Sequence, residues 1–414
     1  MEKIKMLLSN KTPRQTACLF ISQILGLVSG FVSNMILAKN MGVQAFGLYS
    51  FTAAVLSFCA IFFEFGYFAS GSKLLAENKE KDREEELIGA LMVIAGLISL
   101  VYILTIIIIS FVIDQVFQDK IGDILRVLSI VSFSFILPFF FELVMKGCNR
   151  ILTLSVFNVL WRLLFLFAIF VLYFINQLTP LWVSMMFSCT CLAAFLGCVL
   201  WKRPKFTNLI INLKRIHQEN QCYGKHLYLG RIVDVAAYQI DKMLVSFFAG
   251  AKEVGIYSMA FSIANPVNSF STALASSKFR DFAGSEEISR KVLNFNYYGI
   301  IVSVIAAVSG GFIITHFYLG GDFKESFIVL LILVAAVSCQ AGYKPYNSWL
   351  TSNGHGVLQK KMAYQMTAVS LLSNILLTPI FGKYGAATAC FISMLYALYL
   401  YKVKYEKLIK RGIQ

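Results

Sequence analysis

The chain is predicted to be an all-α integral membrane protein of about twelve transmembrane helices arranged as two parallel six-helix lobes, and three observations predict it. Charged residues make up only 14% of the chain against 58% hydrophobic, and the mean hydropathy is +0.70, whereas soluble domains carry about a quarter charged residues. Apolar stretches of twenty or more residues recur along the 414 positions, each long enough at about 1.5 Å per residue to cross a hydrocarbon core of about 30 Å. A barrel would show roughly ten-residue alternation instead. Third, a nine-residue pattern occurs twice, 208 residues apart: Gly42, then Phe46-Gly47-Leu48-Tyr49-Ser50, and Gly250, then Val254-Gly255-Ile256-Tyr257-Ser258. That spacing is half the chain, the period of a transporter built from two copies of one bundle.

The predicted spans run 16–38, 44–70, 87–113, 121–145, 151–175, 179–201, 227–249, 254–277, 292–318, 325–343, 357–379 and 384–401. The first is too long for a signal-peptide core and no small-residue cleavage site follows it, so it is kept in the mature protein. Pro138 and Pro266 interrupt the fourth and eighth spans. In Asn265-Pro266-Val267-Asn268 the proline frees a carbonyl beside two amides, which reads either as a packing kink or as part of a sugar-contacting wall.

Six spans precede the segment 202–226 and six follow it. The expected organisation is therefore an N-terminal lobe at 1–201, a linker at 202–226 and a C-terminal lobe at 227–414 in the same orientation. In the linker, Phe206, Leu209, Ile210, Leu213 and Ile216 recur at helical spacing beside Lys214 and Arg215. This predicts an amphipathic helix on the cytoplasmic membrane surface, with a solvated linker as the alternative.

With the N-terminus inside, 29 of the 37 Lys and Arg residues fall in cytoplasmic segments, Lys344 among them. The outer loops hold one each: Lys39, Lys120, Lys252, Lys324 and Lys383. The positive-inside rule then puts both termini in the cytoplasm, and the net charge of +15 reads as leaflet-facing charge, not a nucleic-acid surface. Seven of the nine Cys lie in spans and two on the reducing side, with no His cluster beside them, so neither a disulfide scaffold nor a metal site is expected. No cofactor is expected either.

Ionisable residues inside spans carry the functional information, since each costs at least about 2.5 kcal/mol near mid-membrane unless it meets a cavity or a partner. Arg162 sits mid-span with no acid within a turn; it either faces a cavity and holds an anionic substrate, or pairs with an acid on another helix such as Glu142 or Glu64. Arg231, Asp234, Tyr238 and Asp241 share one face of the seventh span, a polar stripe entering from the cytoplasmic end. Arg231 with Asp234, and Asp241 with Lys242, are either structural pairs or working groups. Burial raises a carboxylate's proton affinity, which makes Glu64, Asp234 and Asp241 the ion-coupling candidates. Glu142 precedes Lys146 by four residues and reads as a paired boundary charge.

Several segments resemble the bacterial polysaccharide transporters, the O-antigen flippases of the multidrug/oligosaccharidyl-lipid/polysaccharide (MOP) exporter superfamily. They are Leu37-Ala38-Lys39-Asn40-Met41-Gly42 through Gly47 and Tyr49; Asp241-Lys242 leading to Gly250, Gly255 and Tyr257; and Asn374-Ile375-Leu376-Leu377, Pro379, Phe381-Gly382 and Tyr384-Gly385-Ala386-Ala387. The resemblance spans the chain and implies the MATE-like exporter fold. It implies a non-enzymatic flippase in the bacterial inner membrane that moves undecaprenyl-diphosphate-linked oligosaccharide units outward for lipopolysaccharide O-antigen or capsule. It further implies H+ or Na+ coupling, contact with membrane lipid, and a polysaccharide polymerase and chain-length regulator as partners. Arg162, Arg231, Lys242, Tyr238 and Asn265 are the substrate-cavity candidates. A multidrug or metabolite exporter of the same superfamily predicts a more acidic or aromatic cavity. A membrane polymerase or acyltransferase predicts a large outer loop or a surface His with an acid.

Overall fold

The computed structural model describes residues 11–78, 80–117, 119–200, 204–282 and 284–412. Among them there is no strand. Eight helical segments are long and apolar enough to cross a membrane. Two of these each hold two predicted spans. Helix α1 (Lys11–Phe62) is broken at Gly42, where φ is 78° and ψ 168°, and the last helix, Gly356–Gly412, is broken at Gly382 with φ 53°. Only glycine adopts such torsions without strain.

After α1 come α2 (Tyr67–Glu77), α3 (Lys81–Val116) and α4 (Gly122–Leu128). A 3₁₀ stretch, Ser129–Phe135, leads into α5 (Leu137–Gly147), followed by α6 (Ile151–Phe174) and α7 (Pro180–Leu200). The linker is α8 (Leu209–Glu219) with a π turn, Asn220–Gly224. The seventh and eighth predicted spans are α9 (Lys225–Ala249) and the pair α10 (Ala251–Ala264) and α11 (Pro266–Ser277). A short α12 (Phe279–Phe282) precedes α13 (Arg290–Ile313), α14 (Ser326–Ser352) and α15 (Gly356–Gly412).

The prolines explain two of these boundaries. Pro138 and Pro266 sit in the first turns of α5 and α11, where a missing N–H leaves no bond unmade. Pro345 lies inside α14, and the carbonyl of Ala341 four residues earlier accepts from Asn296 Nδ2 at 3.3 Å. That bond replaces the one the proline removes.

The chain forms two compact units: one of residues 1–37, 52–116 and 120–232, the other of 38–51, 117–119 and 233–414. The units cut the chain differently from the sequence halves, because the first copy of the glycine pattern packs within the C-terminal unit. In the N-terminal unit α2 packs on α5 and α6 on α7. Rings interlock there, with Phe68 edge-on to Phe140 at 5.2 Å and Phe141 against Phe157 at 4.4 Å, geometries that aromatic quadrupoles favour. In the C-terminal unit α14 and α15 form the main pair, with Tyr343 stacked on Tyr401 at 4.8 Å and Trp349 edge-on to Tyr405 at 5.0 Å.

The linker helix α8 docks on the N-terminal unit through polar contacts. Lys73 Nζ is 2.6 Å from Glu219, Lys205 Nζ is 2.7 Å from Asp82 and 3.1 Å from Glu85, and Glu86 accepts from Thr207 Oγ1 at 2.8 Å. The hydrogen bond that Lys205 donates to Asp82 holds its ammonium above its ordinary range. Asn212 and Ile216 are buried inward, while Ile210 and Ile211 are 71% and 68% exposed. The predicted apolar stripe is thus shared: Ile216 serves the unit's own core, and Phe206 and Ile210 point away from it.

Candidate functional site

Within the C-terminal unit three motif segments, far apart in sequence, meet at one carboxylate. Asp241 is buried on α9; Tyr257 Oη donates to its Oδ2 at 3.0 Å and Asn374 Nδ2 to its Oδ1 at 2.9 Å. Asn374 is held in turn, its amide nitrogen also reaching Ser370 O at 3.0 Å and its oxygen accepting from Thr378 Oγ1 at 3.2 Å. Tyr257 arrives because α10 starts directly after Gly250, at φ 85° and ψ 174°, almost the torsions of Gly42. Buried polar groups normally satisfy one another in this way. Here both carboxylate oxygens meet neutral donors, so the negative charge stays uncompensated by any ion pair within 4 Å among the described residues. Sequence reading identified Asp241 and Tyr257 separately; the contribution of Asn374, Ser370 and Thr378 becomes visible only in space.

In the N-terminal unit Arg162 lies on α6 and makes no ion pair among the described residues. Its guanidinium packs over Trp161 at 5.1 Å and against Gly26, where an added methyl would come within 2.8 Å of a guanidinium nitrogen. Its Nε is buried with no hydrogen-bond partner. Glu142, the first proposed partner, pairs instead with Lys146 at 2.6 Å. Arg162 makes no ion pair with Glu64 either. A guanidinium offers five donors, so part of Arg162's capacity is unspent.

Glu64 is buried in the break between α1 and α2, where Phe65 and Gly66 both have positive φ, 47° and 80°. The π turn of the linker closes on this break. Asn220 Nδ2 donates to Phe65 O at 3.1 Å, and a methyl on either Gly66 or Gly224 would overlap the other's backbone. Tyr228 Oη donates to Phe62 O at 2.5 Å. The second span therefore ends at Phe62 in a strained corner.

The predicted outer loops of the C-terminal unit gather into a charge cluster. Lys383, its side chain 5% exposed, lies 2.7 Å from Glu253 and 2.6 Å from Glu325, and Lys252 lies 2.8 Å from Asp322. The hydrogen bond that Lys252 donates to Asp322 holds its ammonium above its ordinary range. Lys39 sits 4.0 Å above the ring of Tyr318.

The remaining sequence candidates fall as follows. Lys242 is partly buried beside Asp241, and Asn265 is exposed at the α10–α11 break. The side chains of Arg231, Asp234 and Tyr238 lie outside the described residues. Gly385 allows the tight corner after Pro379 and Gly382, since a methyl there would overlap Leu377 O. Tyr49 is buried beside Phe46. Lys344, counted from sequence among the cytoplasmic segments, lies within α14.

The comparisons with known proteins agree with this architecture. A lipid II flippase, MurJ, in an inward closed conformation superposes with a TM-score of 0.72 at 14% identity, covering 95% of this chain and 90% of that one. An inward-facing multidrug resistance MATE transporter of the MOP superfamily gives 0.70 at 13%, over 93% and 96%. A MOP superfamily transporter from Pyrococcus furiosus gives 0.60 at 12%, over 99% and 98%. No curated protein sequence matches the chain. The family model for polysaccharide biosynthesis proteins matches residues 13–279. With that match across most of its length, on a multi-pass helical fold shared with MOP-superfamily transporters, the chain belongs to the polysaccharide biosynthesis protein family.

Proposed function

We propose that the protein is a flippase that moves undecaprenyl-diphosphate-linked oligosaccharide repeat units from the cytoplasmic to the outer leaflet of the bacterial inner membrane, for O-antigen or capsular polysaccharide. The observation that carries the reading is Arg162, a cation in an apolar helix that, among the described residues, has no acid beside it and a buried Nε without a partner. An anionic head group crossing the membrane would meet such a group, whereas a cationic drug would be repelled by it. Two six-span lobes, 1–201 and 227–414, alternate access, with both termini cytoplasmic. Asp241, held by neutral donors, is the favoured ion-coupling carboxylate for H+ or Na+. The protein transports and does not catalyse; a polymerase and a chain-length regulator act on the delivered units.

A deletion strain tests this. It should accumulate unpolymerised undecaprenyl-diphosphate oligosaccharide in the cytoplasmic leaflet and lose surface polysaccharide. Normal surface polysaccharide with altered drug resistance would instead establish the multidrug alternative, and a single repeat unit displayed outside would establish a polymerase.

A further inference from the structure

Lys344 is a further cation of the C-terminal unit. It stands inside α14, immediately before Pro345, with the helix continuing to Ser352. It makes no ion pair among the described residues; its Nζ lies 5.9 Å from the centre of the Tyr343 ring. An ammonium drawn into an apolar unit without an acid is unfavourable unless it lines a hydrated cavity. Lys344 lines two. One, of about 210 Å³, also has Asp241, Gln340, Tyr343, Asn347 and Tyr401 in its wall; the other, of about 440 Å³, is lined by Thr272, Ser276, Ser348 and Thr351 among others. Lys344 and Asn347 are common to both, so they stand where the cavities meet.

The chemistry of the wider cavity is one-signed: no acid stands among the residues that line it, whereas Asp241 lies in the wall of the narrower one. Asn347 Oδ1 already accepts from Gln359 Nε2 at 2.6 Å, which leaves the amide nitrogen of Asn347 to donate. A lysine offers three donors and no acceptor. Asp241 does not neutralise the lysine: no ion pair joins them, and both its oxygens are taken by Tyr257 and Asn374. Donors in a cavity wall that holds no acid select an anion, so the wider cavity is the anion side of the junction.

We propose that Lys344 and Asn347 form an anion-binding subsite of the C-terminal unit that takes a phosphate or carboxylate group of the lipid-linked saccharide. The proposal rests on the flippase reading and adds to it a second cation, on a different helix and in a different unit from Arg162. Two sources share this chemistry, the diphosphate of the lipid carrier and the carboxylate of an acidic sugar.

The test uses the purified full chain in nanodiscs, with two probes: undecaprenyl diphosphate without sugar, and glucuronate without lipid. Lys344→Gln should weaken binding of one probe at least tenfold, Lys344→Arg should retain it within about threefold, and Asn347→Asp, which turns a donor into an acid, should abolish it. Loss for the diphosphate assigns the subsite to the carrier; loss for glucuronate alone assigns it to the sugar. Wild type and Lys344→Gln binding both probes equally would overturn the subsite and leave the flippase reading standing. Binding of neither probe to the wild type would also overturn the subsite, while the flippase reading is decided by the deletion strain. If Lys344→Gln does not fold, Asn347→Asp reads the same subsite; if it folds again once Asp241→Asn is added, the lysine is a structural counter-ion and the proposal falls.

Discussion

Gly47 and Gly255 pack against each other reciprocally: a methyl on Gly47 would overlap the carbonyl oxygen of Ala251, and one on Gly255 would overlap that of Val43. Each glycine meets the residue four before its counterpart, so the two copies of the repeated pattern are related by a local two-fold relationship inside one compact unit. The pattern therefore places two helix starts in backbone contact, which any side chain at either glycine would force apart.

Gly255→Val should accordingly lower thermal stability by about 1–3 kcal/mol through overpacking, with Gly47→Val equivalent. A change at Gly30, where an added methyl meets nothing within 4 Å, should have far less effect. Thermal unfolding of the detergent-solubilised variants, followed by tryptophan fluorescence, makes the comparison.

Asp241→Asn keeps a similar shape and leaves partners for Tyr257 and Asn374, but removes the charge. Near-normal membrane abundance with loss of export is the expected pair of outcomes. Asn374→Ala should reduce export while the carboxylate remains. Full export by Asp241→Asn would remove this group from ion coupling.

Arg162→Ala should leave membrane abundance near normal and abolish export, with Arg162→Lys partly active. Gly26→Leu should act similarly, since its side chain would take the space of the guanidinium. Immunoblotting beside a surface-polysaccharide assay separates these outcomes from simple loss of protein.

Lys383→Met leaves Glu253 and Glu325 facing each other without their shared cation, and a destabilisation of about 0.5–3 kcal/mol is expected. Adding Glu253→Gln should recover part of it, because the repulsion is then relieved. The readout is the shift in unfolding temperature across the double-mutant cycle.

Cysteine labelling should find positions 210 and 405 on the cytoplasmic side and 42, 252 and 383 outside. Labelling of position 210 from outside would break the parallel arrangement of the halves.

Part of the site was legible beforehand for a plain reason: a charge in an apolar run is conspicuous, as Arg162 and Asp241 are. Lys344 was not, because Tyr343-Lys344-Pro345 reads as the end of a span; a helix continues through it only because Asn296 satisfies the carbonyl that Pro345 abandons. Asn374 sits in an apolar run where one amide carries little signal by itself.

The sequence alone determined the class of the protein, its helical membrane-spanning nature and its twofold internal repetition, because hydropathy, span length and period are properties of the chain read in one dimension. Only the tertiary structure decided that residues 38–51 pack with the C-terminal unit and that Tyr257 and Asn374 converge on Asp241. Those pairings depend on which helix faces meet. Close packing of glycines and aromatic rings selects the faces, and neither spacing nor composition records that choice.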